Sequence, residues 1–211
     1  MTDESVGNEQ TVFIVDDDEA MRDSLAWLLE SNGLRVSSFA SGEAFLDAWR
    51  ADMAGCLVLD VRMPGISGLE LHERLQALQS SLPIIFVTGH GDVPMAVSAL
   101  KKGAADFIEK PFNDKDILRL IEQCLAADRE QQSRRRRHAE IARRLAALTP
   151  REREVMDLMA AGRLNKQIAD DLGISIKTVE VHRARVMDKM EVRSLAELVQ
   201  SVMEVSGSPG A

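Results

Sequence analysis

Between Thr11 and about residue 127, short apolar runs alternate with stretches in which apolar positions recur every three or four residues. The runs predict strands at 12–16, 35–39, 56–60, 83–88 and 106–109, and the longer stretches predict helices at 19–31, 41–50, 67–79 and 93–102, with a fifth starting near Asn113. The first, third and fourth runs are almost uninterruptedly apolar, the pattern of strands covered on both faces of a parallel sheet. Asn32-Gly33 and Gly103 supply helix stops, and Ser41 precedes an acidic first turn. Five βα units describe an α/β doubly wound domain with a five-stranded parallel sheet.

The pattern changes twice after that. Residues 128–138 have almost no apolar side chain, include Arg134 to Arg137, and lack Gly and Pro. They read as a solvated extension of the fifth helix bridging two domains, with a flexible linker as the alternative. From Thr149 onward only helical signals remain. Thr149-Pro150-Arg151-Glu152 is a capping box with proline at the first helical position, for a helix reaching Ala161. Asn165 is placed to cap a short helix closed by Gly173, Ser175 to cap one from Ile176 to about Met190, and Ser194 to open a last one to about Val205. Four helices, with a tight Gly-containing turn between the second and third, form an all-α helix-turn-helix domain. The division is therefore 11–127, a linker at 128–147, and 148–205.

Charge separates the two halves. The chain carries −8 overall. Residues 1–126 hold 10 basic and 21 acidic side chains, 127–148 hold 7 and 3, and 149–211 hold 9 and 10. The first block repels nucleic acid, so only the C-terminal part is a plausible contact for it. The longest apolar runs fall far short of the ~20 residues that a membrane span needs, and no charged-then-apolar leader opens the chain, so a cytoplasmic location with no membrane partner is expected. Cys56 and Cys124 have neither disulfide nor metal spacing and read as core residues.

Chemistry concentrates at the carboxyl ends of the predicted strands, where an open α/β sheet binds its ligands. Asp16-Asp17-Asp18, Asp60, Thr88 and Lys110 all fall there. Adjacent carboxylates repel unless a cation holds them ionised, and a set made only of oxygens suits Mg²⁺ or Mn²⁺. Asp60 stands alone at the central strand's end, free to take a phosphoryl group as an acyl phosphate. A metal ion and Lys110 would neutralise the charge in transit.

These residues, with Met63-Pro64-Gly65, Thr88-Gly89 and Lys110-Pro111, resemble the full signature of a response-regulator receiver domain over residues 11–127. The stretch 89–95 is similar to the FixJ-like subgroup. The resemblance implies a flavodoxin/CheY-like sheet of order 2-1-3-4-5, and Asp60 as the phosphoacceptor of a sensor histidine kinase. It also implies Mg²⁺ on Asp17, Asp60 and the backbone carbonyl of Arg62, with Asp16 assisting through water. Thr88 and Lys110 would hold phosphoryl oxygens, the Lys110–Pro111 peptide would be cis, and Phe107 would be the switch aromatic. Asp18 is left to the first turn of the following helix.

The C-terminal segments 149–155, 165–169 and 177–182 resemble the LuxR/NarL-type DNA-binding domain. A recognition helix from Ile176 would place Asn165, Lys166, Lys177, Thr178, His182 and Arg183 on phosphates and Glu180, Val181 and Arg185 near base edges of promoter DNA. The module's own charge of −1 argues against this, although Lys177, Arg183, Arg185, Lys189 and Arg193 gather on the reading segment. Leu195, Leu198, Val199 and Val202 line the last helix as core packing or as a dimer seam. Together the halves imply a transcription factor that catalyses only its own phosphoryl transfer, forms a homodimer on phosphorylation, and acts on RNA polymerase. A Mg²⁺-dependent aspartyl-phosphate phosphohydrolase is the alternative, although its pattern wants Thr or Val where this chain has Ala20.

Overall fold

The computed structural model describes residues 10–89, 101 and 103–206. In chain order these form β1 (Thr11–Val15), α1 (Glu19–Ser31), β2 (Arg35–Phe39), α2 (Gly42–Ala48), β3 (Gly55–Asp60), α3 (Gly68–Ala77), β4 (Ile84–Thr88) and β5 (Asp106–Glu109). Then follow α4 (Asp114–Ala146), α5 (Pro150–Ala160), α6 (Asn165–Leu172), α7 (Ile176–Met190) and α8 (Leu195–Ser206). The helix expected at 93–102 lies, apart from Lys101, outside the described residues.

All five strands pair in parallel in the order β2-β1-β3-β4-β5. The two central partners, β3 and β4, are buried at every residue, whereas the edge strands β2 and β5 are not. That gradient is why their sequences differ: only strands covered on both faces need to be apolar throughout. One core layer packs Phe13, Leu57 and Phe86 against Phe45 of α2 and Leu71 and Leu75 of α3. The other packs Val12, Ile14, Cys56 and Val58 against Leu25 and Leu29 of α1 and Ile117, Ile121 and Cys124 of α4. Burial raises both thiols' pKa, that of Cys124 to about 11, so neither is a thiolate at neutral pH.

Helix ends obey local chemistry with small corrections. Asp18 is the N-cap of α1 and not part of its first turn: its carboxylate accepts the N–H groups of Ala20 and Met21. Helix α2 stops at Ala48 because Trp49 is extended, two residues before the expected end. The Thr149 capping box is complete, with Thr149 Oγ1 accepting from Glu152 N and Glu152 Oε2 from Thr149 N. Helix α6 corrects the expectation that Asn165 caps it. Leu164 occupies that position, and Gln167, three residues on, reaches back to accept its N–H at 2.9 Å. A glutamine inside the first turn thus does the work sought from a polar residue before it.

Asp128 is a second correction. It opens the stretch expected to be solvated, yet it is only 1% exposed. Its Oδ2 accepts from Gly55 N at 2.9 Å and from the side chains of Gln10 and Gln132. The carboxylate satisfies the first amide of β3, a backbone group that would otherwise be buried unpaired.

The chain divides into two compact units, residues 1–132 and 133–211. In the second, Val155, Met156 and Met159 of α5, Ile168 of α6, Val179, Val186 and Met190 of α7 and Leu198 of α8 enclose a separate core with Ile141. Gly173, at φ +63°, turns the chain between α6 and α7. No described helix is long and apolar enough to cross a membrane.

Candidate functional site

The parallel order sets Asp16, which follows β1, beside Asp60 at the end of β3, with Thr88 ending β4 and Lys110 following β5. The Lys110 ammonium donates to Asp60 Oδ1 at 2.7 Å and to Asp16 Oδ2 at 2.9 Å, so three strands converge on one cation. Arg62 N donates to Asp60 Oδ2 at 2.7 Å, and Asp18 N to Asp16 Oδ1 at 2.9 Å. Lys110 is aimed by its own backbone, whose N–H donates to Thr88 O at 2.7 Å, and the Lys110–Pro111 peptide is cis. Asp17 is exposed, and with the other acids, Arg62, Gly89 and Lys110 it lines a cavity of about 270 Å³.

Asp60 is 8% exposed. That burial pushes its carboxyl pKa above the ordinary value, with the Lys110 hydrogen bond pulling the other way. Burial alone would lower Lys110, but its bonds to Asp60 and Asp16 outweigh it and raise the pKa, keeping the amine charged. Thr88 does not line the cavity. It is fully buried, and its Oγ1 has no hydrogen-bond partner among the described residues. Phe107 is half-buried against the core layer that holds Phe86.

No three His, Cys, Asp or Glu side chains among the described residues stand together as a metal cage in this arrangement. Lys110 occupies the place between Asp16 and Asp60 and supplies the positive charge they require. The donor chemistry still suits a hard divalent ion: every nearby ligand atom is oxygen, and Asp17 keeps its carboxylate in water beside the cavity.

In the second unit, Lys177, Glu180, Val181 and Arg185 share one exposed face of α7, while Val179, Val186 and Met190 occupy the buried one. Lys166 is exposed; Asn165 and Arg183 are half-buried. Thr178 shares a 2.8 Å hydrogen bond with the capping Ser175, and His182 Nδ1 is buried without a partner among the described residues. Lys189 is not free to face a ligand as the sequence suggested. Its ammonium donates to buried Glu152 at 2.6 Å and to Ala147 O at 3.1 Å. That contact, with Thr149 N–H, depresses the Glu152 pKa to about 2. The charge objection also weakens. The compact unit begins at Ser133 and so takes in the arginine run, giving it 15 basic and 11 acidic side chains, or +4.

Sequence reasoning missed Glu43, Asp128 and Arg144. Glu43 Oε1 accepts Ile66 N at 2.9 Å, and Arg144 donates to Met190 O and Glu191. Ile66 lies 23 residues from Glu43, Gly55 73 from Asp128 and Glu191 47 from Arg144, and no local pattern marks such contacts.

An aspartate-rich pocket at the carboxyl edge of a doubly wound sheet, joined in one chain to a helix-turn-helix unit, defines a receiver-type regulator of transcription. Residues 12–122 match the model of the response regulator receiver domain, and 146–202 match that of the bacterial regulatory proteins of the luxR family. The chain belongs to the two-component response regulators with a LuxR-type DNA-binding domain, in their FixJ-like subgroup. It is 50% identical over 198 residues to the transcriptional regulatory protein FixJ of Azorhizobium caulinodans, covering 94% of each chain. It is 48% identical to the C4-dicarboxylate transport transcriptional regulatory protein DctR of Rhodobacter capsulatus, covering 90% of this chain and 98% of that one. Among solved structures it is similar to the response regulator StyR, with a TM-score of 0.87 at 46% identity, covering 93% and 99% of the two chains.

Proposed function

We propose that Asp60 accepts a phosphoryl group from a sensor histidine kinase and that the acyl phosphate controls promoter binding by the C-terminal unit. One observation carries this reading: Lys110 bridges Asp60 and Asp16 beside a buried threonine whose hydroxyl has no described partner. Asp16, Asp17, Asp60 and the carbonyl of Arg62 would hold Mg²⁺ (or Mn²⁺), which when bound neutralises carboxylate and phosphoryl charge. A carboxylate oxygen of Asp60 forms the new P–O bond as the P–N bond of the donor phosphohistidine breaks, the electron pair leaving with the imidazole. Lys110, already 2.7 Å from Asp60, then pairs with a phosphoryl oxygen. Thr88 turns its hydroxyl to the same group, and Phe107 fills the space it leaves.

Moving a two-state equilibrium from 1:99 to 99:1 takes about 5.5 kcal/mol, and charge-assisted hydrogen bonds contribute roughly 1.5–3 kcal/mol each, so about two to four new contacts suffice. The protein is a regulator and not a turnover enzyme; its chemistry is confined to its own phosphorylation and dephosphorylation. It works in the cytoplasm through a receiver at 11–127, a helical linker at 128–147 and a DNA-binding domain at 148–205. Phosphorylation favours a homodimer that sets two recognition helices on neighbouring half-sites and contacts RNA polymerase. Asn165, Lys166, Lys177, Thr178, His182 and Arg183 serve phosphates, and Glu180, Val181 and Arg185 face bases. In the test, Asp60→Asn is mixed with acetyl phosphate and Mg²⁺. Loss of both phosphate uptake and phosphate-stimulated DNA binding is expected, and a full response by the variant would refute the reading.

A further inference from the structure

The loop from β3 to α3 begins at Asp60 and carries Arg62, so its conformation sets both the phosphoacceptor and a backbone carbonyl assigned above to the cation. Three contacts fix it. Arg62 N donates to Asp60 Oδ2 at 2.7 Å, which makes the loop part of what orients the carboxylate. Gly68 N donates to Val61 O at 3.1 Å, and the chain closes so tightly that a Cβ at position 68 would lie 2.1 Å from Asp60 O. The third contact comes from a different element. Glu43, in the first turn of α2, extends its carboxylate to accept Ile66 N at 2.9 Å.

The surroundings of that carboxylate are shaped to it. Gly65 lies beneath it at φ +73°, and a Cβ there would fall 2.4 Å from Glu43 Oε1. Gly42 leaves room for buried Ile66, whose Cβ and carbonyl oxygen would stand 3.2 Å from a side chain at position 42. An acid in the first turn of a helix is favoured by the dipole wherever it points. That preference does not explain why this one spans to another loop over a glycine at positive φ, where a Cβ would displace the Glu43 carboxylate from its place.

We propose that Glu43 is a positioning residue for phosphoryl transfer, holding the β3–α3 loop so that Asp60 and the Arg62 carbonyl keep their places. The proposal rests on the reading of Asp60 as phosphoacceptor. It acts through reach and acceptor geometry and not through charge, which separates the variants. Glu43→Gln keeps an oxygen that can accept Ile66 N–H. Glu43→Asp keeps the charge at the helix N-terminus but is one methylene too short. Glu43→Ala removes both.

The test uses the full chain in two assays that need no turnover. The first is hydrogen exchange at the Ile66 amide without metal, and the second is a Mg²⁺ titration without phosphodonor, followed by calorimetry. A third measures acyl-phosphate formation from acetyl phosphate across Mg²⁺ concentrations. Glu43→Ala and Glu43→Asp should exchange Ile66 about tenfold faster, as loss of one hydrogen bond allows. They should need about tenfold more Mg²⁺, the lower end for groups that orient metal ligands. Their acyl-phosphate formation should be slowed at limiting Mg²⁺ and recover at saturation, and Glu43→Gln should stay near wild type. If Glu43→Asp keeps wild-type exchange and Mg²⁺ midpoint, the proposal is overturned, even should Glu43→Ala fail to fold. A wild-type protein that takes no phosphate would instead remove the phosphoacceptor reading itself.

Discussion

Replacing Lys189 with methionine should unlock the C-terminal unit more than its half-exposed position suggests. The ammonium is the charged partner of Glu152, whose side chain is 3% exposed and whose other contact through Oε2 is the Thr149 N–H at 2.9 Å. Methionine keeps the stem packed but leaves a buried carboxylate without a counter-charge. Breaking a buried pair from one side costs about 3–5 kcal/mol, and the lower figure, about 3, applies because the lysine side chain is a third exposed. In a unit of this size 1 kcal/mol moves Tm by about 4–8 °C, so a drop of about 12–24 °C is expected for its calorimetric transition. Glu152→Gln removes the charge instead, and because Lys189 can turn to water it should cost less than half as much.

The pH dependence gives the sharper check. In wild type, Glu152 titrates at about 2 when folded against 4.5 when unfolded, so its contribution is complete above 4.5 and is lost as pH falls towards 2. In Lys189→Met the largest cause of that depression is gone, and only the Thr149 contacts still oppose burial. The folded pKa rises from its wild-type value, so the variant loses less stability than wild type as pH falls. The gap in Tm between the two proteins should therefore narrow from pH 7 to pH 3. A gap that is absent at neutral pH, or constant down to pH 3, would refute the reasoning.

Two further outcomes follow from buried polar atoms. Thr88→Val replaces a fully buried hydroxyl that has no described partner, so resting stability should hold or rise by up to about 1 kcal/mol while phosphate-stimulated DNA binding falls at least about tenfold. Calorimetry beside a DNA-shift assay reads both, and a large destabilisation would mean that the hydroxyl is bonded at rest. Asp128→Ala leaves the Gly55 amide buried without an acceptor and should cost about 1–3 kcal/mol by urea denaturation, with Asp128→Asn milder because its amide oxygen still accepts.

The strand-end acids, the order of the βα units and the capping signals at Ser41, Thr149 and Ser175 were legible because each depends on a few neighbouring residues. The one-residue error at the start of α6 arose because a side chain inside the first turn did the capping, as Gln167 does for Leu164. Charge was harder to read. Asp128 sits in a run rich in charge and Lys189 on a helix face rich in arginine, and both turned inward to meet partners distant in sequence.

Periodicity and end signals specify which elements form and which side chains lie at strand ends, because those are properties of spans of three to ten residues. That is why Asp16, Asp17, Asp60, Thr88 and Lys110 stand out at strand ends in the sequence itself. The pairing of Lys110 with two acids at once, the clasp of Glu43 on the Ile66 amide, and the sequestration of Glu152 by Lys189 depend on chain crossings. Parallel pairing and helix packing bring together groups between 23 and 94 residues apart, and desolvation then selects which charges must find each other.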